Sequence, residues 1–388
     1  MWRRARRIGG AAAVLAVFLA VGAGLASART GQDEFVRCTK CGDRGARPCG
    51  EHRGLELAVE NDVLYCSAIA GCAACGGAGW IDCPQCANRA VEERLAAKLA
   101  GLSARRAALA VLDAEMGWPL RVLESAHFVV VCELGVQKID KRKVAPHEVA
   151  HLYAARLERL FADYCRILGV AESEFAQKPR IMLWANVQDH ERAALRFCHE
   201  AAGAGVKLLG VDPTYSVAGT RALFADDELL HRNVVHNTTH LLLSHQRPIL
   251  WIGNQKGGWA DEGLAHWFED LTWGRCDNFC FEEVNTIYGF KGGQWRVPVR
   301  RIVVAGEVPS LPELFEQNTT MLSPEQHAVS FSLVDYLAGR DATRLNRLLV
   351  HLREKMSTRD ALRADFDLSV LELEEEWRAW VLATYPAR

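Results

Sequence analysis

Read for the spacing of its apolar positions, the chain falls into an apolar N-terminal run, a cysteine-crowded stretch with little periodicity, one long helix, and a body where strand-like runs give way to helices. From residue 88 to about 116 the sequence is rich in Ala, Leu, Arg and Glu, with Gly101 as the internal breaker. This predicts a helix stopped by Gly117-Trp118-Pro119. β-Branched runs at 127–132 and 180–184 predict strands. Between them Val149, Tyr153, Leu157, Leu160, Tyr164 and Ile167 recur at helical spacing and predict a helix with one apolar stripe. A helix over about 227–244 carries His236 and His240 on the stripe that holds Leu229 and Leu243, so both imidazoles are expected to face inward. Helices at 311–316, 328–337, 344–355 and 370–383 complete an α+β body.

Ahead of all this, Arg3, Arg4, Arg6 and Arg7 precede an apolar run over 11–25 and a small-residue Ala26-Ser27-Ala28 site. That order predicts a signal peptide over 1–28 and an exported chain, periplasmic or secreted, starting near Arg29. An uncleaved membrane anchor is the other reading of the same residues; no later segment is long and apolar enough to span a bilayer. The net charge of -2 gives no overall footprint for nucleic acid or an anionic membrane, and 388 residues with 49% hydrophobic content suffice for one large domain and a small module.

The cysteines set the module's limits. Of 13, eight crowd between Cys38 and Cys86. Cys38-x-x-Cys41 is followed after seven residues by Cys49-x-x-His52, and Cys72-x-x-Cys75 after seven by Cys83-x-x-Cys86, an internal repeat. Each knuckle offers two ligands on a tight turn, and two knuckles close one tetrahedral zinc site without an open position. Export and the spare Cys66 suit a disulfide framework instead, which leaves His52 in its register slot unexplained. The segment Cys72-Ala73-Ala74-Cys75-Gly76-Gly77-Ala78-Gly79 resembles the cysteine-rich domain of DnaJ-type chaperones, from which the first repeat departs at Asp43 and His52. The resemblance implies that outer knuckles pair (Cys38, Cys41, Cys83, Cys86) and inner knuckles pair (Cys49, His52, Cys72, Cys75); spacing alone leaves pairing within each repeat open. The expected organisation is a zinc-binding module over 29–95, resembling a zinc ribbon in its paired knuckles, a helical linker over 96–119, and a large domain over 120–388.

The large domain's chemistry centres on His236-Asn237-Thr238-Thr239-His240 and Trp259-Ala260-Asp261-Glu262-Gly263-Leu264-Ala265. Histidines four apart on a helix project from one face, and a carboxylate on the next helix can complete a three-ligand site. The two phrases resemble the active site of gluzincin metallopeptidases, where His-Glu-x-x-His supplies two ligands and the general base. The resemblance implies a zincin-like domain with a small sheet, an active-site helix and a helical C-terminal part, and zinc ligands His236, His240 and Glu262. Asn237 stands at the base position, and a carboxamide cannot take a proton from bound water. Asp261, Glu269 and His266 are candidates for a substitute base or for orienting a ligand; Tyr288, His327 and Tyr336 are candidates for the oxyanion role that a C-terminal Tyr or His plays in such peptidases. Cys276 and Cys280 are either bridged or free.

A literal His147-Glu148-Val149-Ala150-His151 also occurs. Its histidines share a stripe with Ala154 and Glu158, expected to face solvent, and no glutamate phrase follows at the required distance. The combined expectation is an exported, bacterial-type zinc protein, a pseudopeptidase or polypeptide binder with a polypeptide or protein partner. Two other classes remain: an active zinc metallopeptidase using a substitute base or the His147 motif, and a purely structural adaptor.

Overall fold

The computed structural model describes residues 38–42, 44–52, 63–203, 205–219, 227–246, 252–276, 278 and 293–388. The expected leader, Cys280 and Tyr288 lie outside them. In the cysteine segment run β1 (Ala46–Pro48), β2 (Tyr65–Cys66) and β3 (Trp80–Asp82). The long helix α1 (Arg89–Met116) starts where the Asn88 side chain accepts from the Val91 backbone N–H and stops at Gly117 in the left-handed region, φ 84°. Then come β4 (Val122–Glu124), β5 (Val129–Cys132), β6 (Gln137–Ile139), β7 (Arg142–Val144), α2 (Pro146–Leu168), β8 (Arg180–Trp184), α3 (Val187–Ala193), β9 (Gly205–Leu208) and β10 (Thr214–Ala218). The rest is helical: α4 (Asp227–His245), α5 (Gly258–Trp273), α6 (Arg296–Ala305), α7 (Leu311–Glu316), α8 (Pro324–Arg353), α9 (Thr358–Phe366) and α10 (Val370–Thr384). The protein is thus a mixed α+β structure with a cysteine cluster at its N-terminal end.

Six strands form one mixed sheet in the order β2-β4-β5-β8-β10-β9. Strands β5, β8 and β10 are parallel, so helices cross between them; β4 and β9 flank them antiparallel. Side chains alternate between two covered faces. Val129, Val131, Met182 and Trp184 pack with Leu112 and Met116 of α1 and with Phe197, while Val130, Cys132, Ile181, Leu183 and Val217 join the main core under α2 and α4. The linker helix therefore shields one face of the sheet. Between the two halves of the cysteine repeat, β2 pairs with β4, and Val63, Cys66 and Ile69 enter the main core, so the cysteine segment is fused to the sheet's edge.

The helices expected at 328–337 and 344–355 are two halves of the single α8, bent where Asp341 leaves helical geometry (φ -168°, ψ 104°). Its Oδ1 accepts from the Thr343 and Arg344 backbone N–H groups and so caps the second half. Short strands such as β4 and β10 and the helix α9 had no clear periodic signal.

Helix α2 corrects one expectation. Its apolar stripe is buried as anticipated, but His151 is only 1% exposed and Ala154 is fully buried, so the histidine stripe does not face solvent. Helix α2 packs on β4 and β5 on one side and on α4 and α8 on another, and a helix covered from two directions buries more than one stripe. Burial, with the charges of His147 and Lys98 acting the same way, lowers His151 to about 4; burial likewise lowers His231 to about 3. Such groups are neutral in the fold and take a proton near pH 6.5 once unfolded, so their contribution to stability is intact above pH 6.5 and is lost as pH falls toward 4. His151→Leu is expected to keep stability near pH 7.5 within about 1.5 kcal/mol of the parent. It should flatten the decline between pH 6.5 and 4 by up to about 1.4 kcal/mol per pH unit, one proton's worth. Denaturant titrations across that range check this; parallel declines in both proteins would mean that folded His151 ionises freely.

Candidate metal centres

In the cysteine segment, antiparallel pairing of β1 with β3 sets Ala46 opposite Asp82 and Pro48 opposite Trp80. Beyond one end, the Cys83 N–H donates to the Gly45 carbonyl; beyond the other, the Cys49 N–H donates to Gly79. This register lays the first knuckle beside the last and the two inner knuckles together. The resulting tetrads are Cys38, Cys41, Cys83, Cys86 and Cys49, His52, Cys72, Cys75, the ligand atoms of each lying within 4.8 Å of one another. Sγ of Cys41 and Cys86 are 3.0 Å apart, Cys38 and Cys83 3.8 Å, and Cys75 Sγ lies 3.4 Å from His52 Nε2. All three exceed an S–S bond, and the Cys38–Cys83 and Cys75–His52 separations have the size of an edge of a tetrahedral site, while Cys41 and Cys86 lie closer together. Glycine follows the second cysteine in two knuckles, with Gly42 at φ 57° and Gly76 at φ 61°, a turn that strains any residue with a side chain. No disulfide joins any two of the described cysteines. Donation from the Gln85 backbone N–H outweighs burial and brings Cys83 down to about 6, favouring the thiolate that binds metal.

The second centre lies in the helical body. Helix α4 is buried all round from Val234 to His245 although His236, Asn237, Thr238, Thr239 and His240 sit there. A helix both polar and enclosed must satisfy those groups internally. His236, His240 and Glu262 are fully buried, and their ligand atoms converge: His236 Nε2 to His240 Nε2 is 3.2 Å, His240 Nε2 to Glu262 Oε1 is 3.4 Å and His236 Nε2 to Glu262 Oε2 is 3.5 Å. Ligands held 2.0–2.1 Å from a tetrahedral ion are about 3.3 Å apart, so the triangle has the size of one face of such a site.

Behind this face stand two carboxylates. Asp261 Oδ1 is 2.7 Å from His240 Nδ1, and Asp261 Oδ2 accepts from the Thr319 hydroxyl. Glu269 Oε2 is 3.5 Å from His236 Nδ1 and is itself held by Asn278. The Asp261 carboxylate bonded to His240 Nδ1 keeps the proton there and leaves the His240 Nε2 lone pair for a metal. Burial alone would raise the Glu262 carboxyl; the imidazoles of His240, His236 and His327 outweigh it and hold the group well below the usual carboxylate range. Burial, aided by His236 and His327, keeps His266 well below its usual range and hence neutral.

Glu262 is positioned by helix packing. A Cβ on Gly263 would come within 2.6 Å of the Ser330 carbonyl, so glycine lets α5 lie directly against α8. That approach carries His327 of α8 to within 3.0 Å of His266 Nε2. His327, considered from sequence only as an oxyanion candidate, thus joins the buried cluster; its distance along the chain hid the contact, and only its place on an apolar helix hinted at it.

Compared with protein-family models and with curated proteins, the chain matches none. The other candidate residues have partners of their own. Asn237 follows His236 on α4 and is 8% exposed, its Nδ2 donating to the Asn233 carbonyl and its Oδ1 accepting from Lys207 Nζ at 3.4 Å. The Tyr336 hydroxyl is engaged elsewhere, 2.7 Å from Glu376 and accepting from Arg340. Glu148 caps the start of α2 by accepting from the Ala145 N–H, and the His147 motif joins none of the clusters of three or more ligands found among the described residues.

Titration of the native full-length protein with an organomercurial is expected to release two metal ions per chain, one per tetrad, as the thiolates are consumed. Release of no metal, with fewer than the full set of thiols counted in denaturant, would point to disulfides.

Proposed function

We propose that this is an exported zinc protein whose large domain is gluzincin-like, retains the three metal ligands and has lost the proton acceptor, so that it binds polypeptide without cleaving it efficiently. The observation that carries this reading is the fully buried triangle of His236, His240 and Glu262, with a carboxamide, Asn237, at the next position after His236 on the same helix. Thiolate-rich tetrads and an imidazole–carboxylate triangle are both donor sets that zinc favours. A zinc ion on His236, His240 and Glu262 would supply Lewis-acid polarisation of a carbonyl or water oxygen. The protein's own groups hold that oxygen's surroundings. Asp261 and Glu269 orient the imidazoles from the Nδ1 side, away from the triangle, which suits positioning and leaves neither facing a bound water.

Strand β9 supports the polypeptide part of the reading. It ends the sheet, no described strand pairs with its outer side, and its Lys207 reaches Asn237. An open antiparallel edge offers backbone donors and acceptors to an extended chain, and here that edge adjoins the ligand helix. Export rests on the leader-like pattern at the N-terminus; among the described residues no helix is long and apolar enough to cross a membrane.

Metal analysis is expected to find zinc in the large domain that is lost in His236→Ala and Glu262→Ala while the cysteine-held metal remains. Asn237→Glu places a proton acceptor at nearly equal volume beside the cation and is expected to raise hydrolysis of an unstructured protein about a hundredfold. If the parent already cleaves vigorously and Asn237→Ala changes nothing, the pseudopeptidase reading is wrong and another base is at work.

A further inference from the structure

The carboxylate of Glu262 faces more imidazoles than one metal ion needs. Besides the triangle with His236 and His240, its Oε2 lies 3.5 Å from His266 Nε2 and 3.7 Å from His327 Nδ1, and those two nitrogens are 3.0 Å apart. All three side chains are fully buried. Edges of 3.0, 3.5 and 3.7 Å again match the ligand spacing around an ion with bonds of 2.0–2.1 Å, near 3.3 Å. Glu262, His266 and His327 form a ligand cluster of their own, sharing only Glu262 with the first.

Hydrogen bonding accounts poorly for this packing. Neither oxygen of Glu262 has a partner in hydrogen-bond geometry, although both are buried. The 3.0 Å contact between His266 Nε2 and His327 Nδ1 engages the two ring nitrogens that face the carboxylate with each other, and a hydrogen on that contact lies along the line between them. On the other side, Asp261 holds the His240 proton on Nδ1, so the Nε2 lone pair meets Glu262 Oε1 at 3.4 Å with no hydrogen between. Lone pairs facing each other in a dry interior call for cations on both sides of the carboxylate.

We propose that the large domain holds two divalent transition-metal ions, one on His236 and His240 and one on His266 and His327, with Glu262 bridging them. The helices supply the geometry: His266 lies one turn beyond Glu262 on α5, and the Gly263 contact presses α8 and its His327 against that face. Four imidazoles and a carboxylate select zinc, manganese, iron(II) or cobalt over magnesium or calcium, which prefer all-oxygen sites. Trp295, with its ring centroid 4.4 Å from that of His266, walls one side of the second position. This inference rests on the metal-binding reading of the first triangle, and the two can fail separately.

The test uses the intact protein, stripped of metal and reloaded with cobalt(II). Four metal ions per chain are expected, two in the cysteine tetrads and two in the large domain. Ions bridged by one carboxylate about 4 Å apart couple magnetically, so the resonance signal of the histidine-bound metal should be broadened or silenced in the parent. His327→Gln, which keeps most of the volume, is expected to lose one metal ion and to restore an uncoupled signal from the ion that remains. His240→Ala should also lose one. Three ions with an uncoupled signal in the parent, unchanged in His327→Gln, would overturn the second site and leave the first standing; two ions, all released by mercurial, would overturn both. Should His327→Gln fail to fold, the metal count and the coupling in the parent still decide.

Discussion

A carboxylate removed from water must meet opposite charge, accept hydrogen bonds or give up its ionisation. Glu262 meets this constraint at the crossing of α4, α5 and α8, where four imidazoles from three helices turn nitrogen atoms toward it. Much of the helical body is arranged to make that convergence possible. The ligand helix α4 is enclosed on all sides, Gly263 removes the side chain that would hold α8 away, and Asp261 and Glu269 stand behind the first pair of histidines. Removing Glu262 would leave buried imidazoles facing one another with no anion between them.

The cysteine tetrads follow a different logic. There the backbone ladder between β1 and β3 does the aligning, and its register fixes which knuckles meet. The segment is also tied to the large domain: β2 extends the sheet, and its neighbours Val63 and Ile69 sit in the main core. A metal held in the tetrads would therefore be coupled to packing of the sheet edge, since loosening the knuckles on either side of β2 would loosen the strand between them.

Chemically, the contrast at α4 is between what holds an ion and what uses one. Holding needs fixed lone pairs, and the buried carboxylates behind the imidazoles provide them. Hydrolysis needs in addition a proton acceptor beside the bound oxygen; Asn237, next to His236, is an amide donating to the helix backbone and accepting from Lys207. The same lysine belongs to β9, the last strand of the sheet among the described residues, so that strand lies beside Asn237.

How much of this could be read in the chain follows from the range of each interaction. Local rules foretold the helix ending at Gly117, the strand Arg180–Trp184, the inward stripe of His236 and His240, and the knuckle repeat, because capping, periodicity and turn chemistry act within a few residues. The resemblance to known motifs added the pairing of outer with outer and inner with inner knuckles, a choice that spacing alone left open. What the tertiary structure decided depends on packing between distant segments. His151 is buried because α2 is covered from two directions, which a single stripe cannot reveal. Tyr336 is drawn to Glu376 by the approach of α10. His327 reaches Glu262 only because α8 presses on a glycine of α5, and no local pattern records which helix will lie against that glycine. The sequence by itself determined which residues can bind metal; the contact between helices far apart in the chain decided how many of them surround one carboxylate.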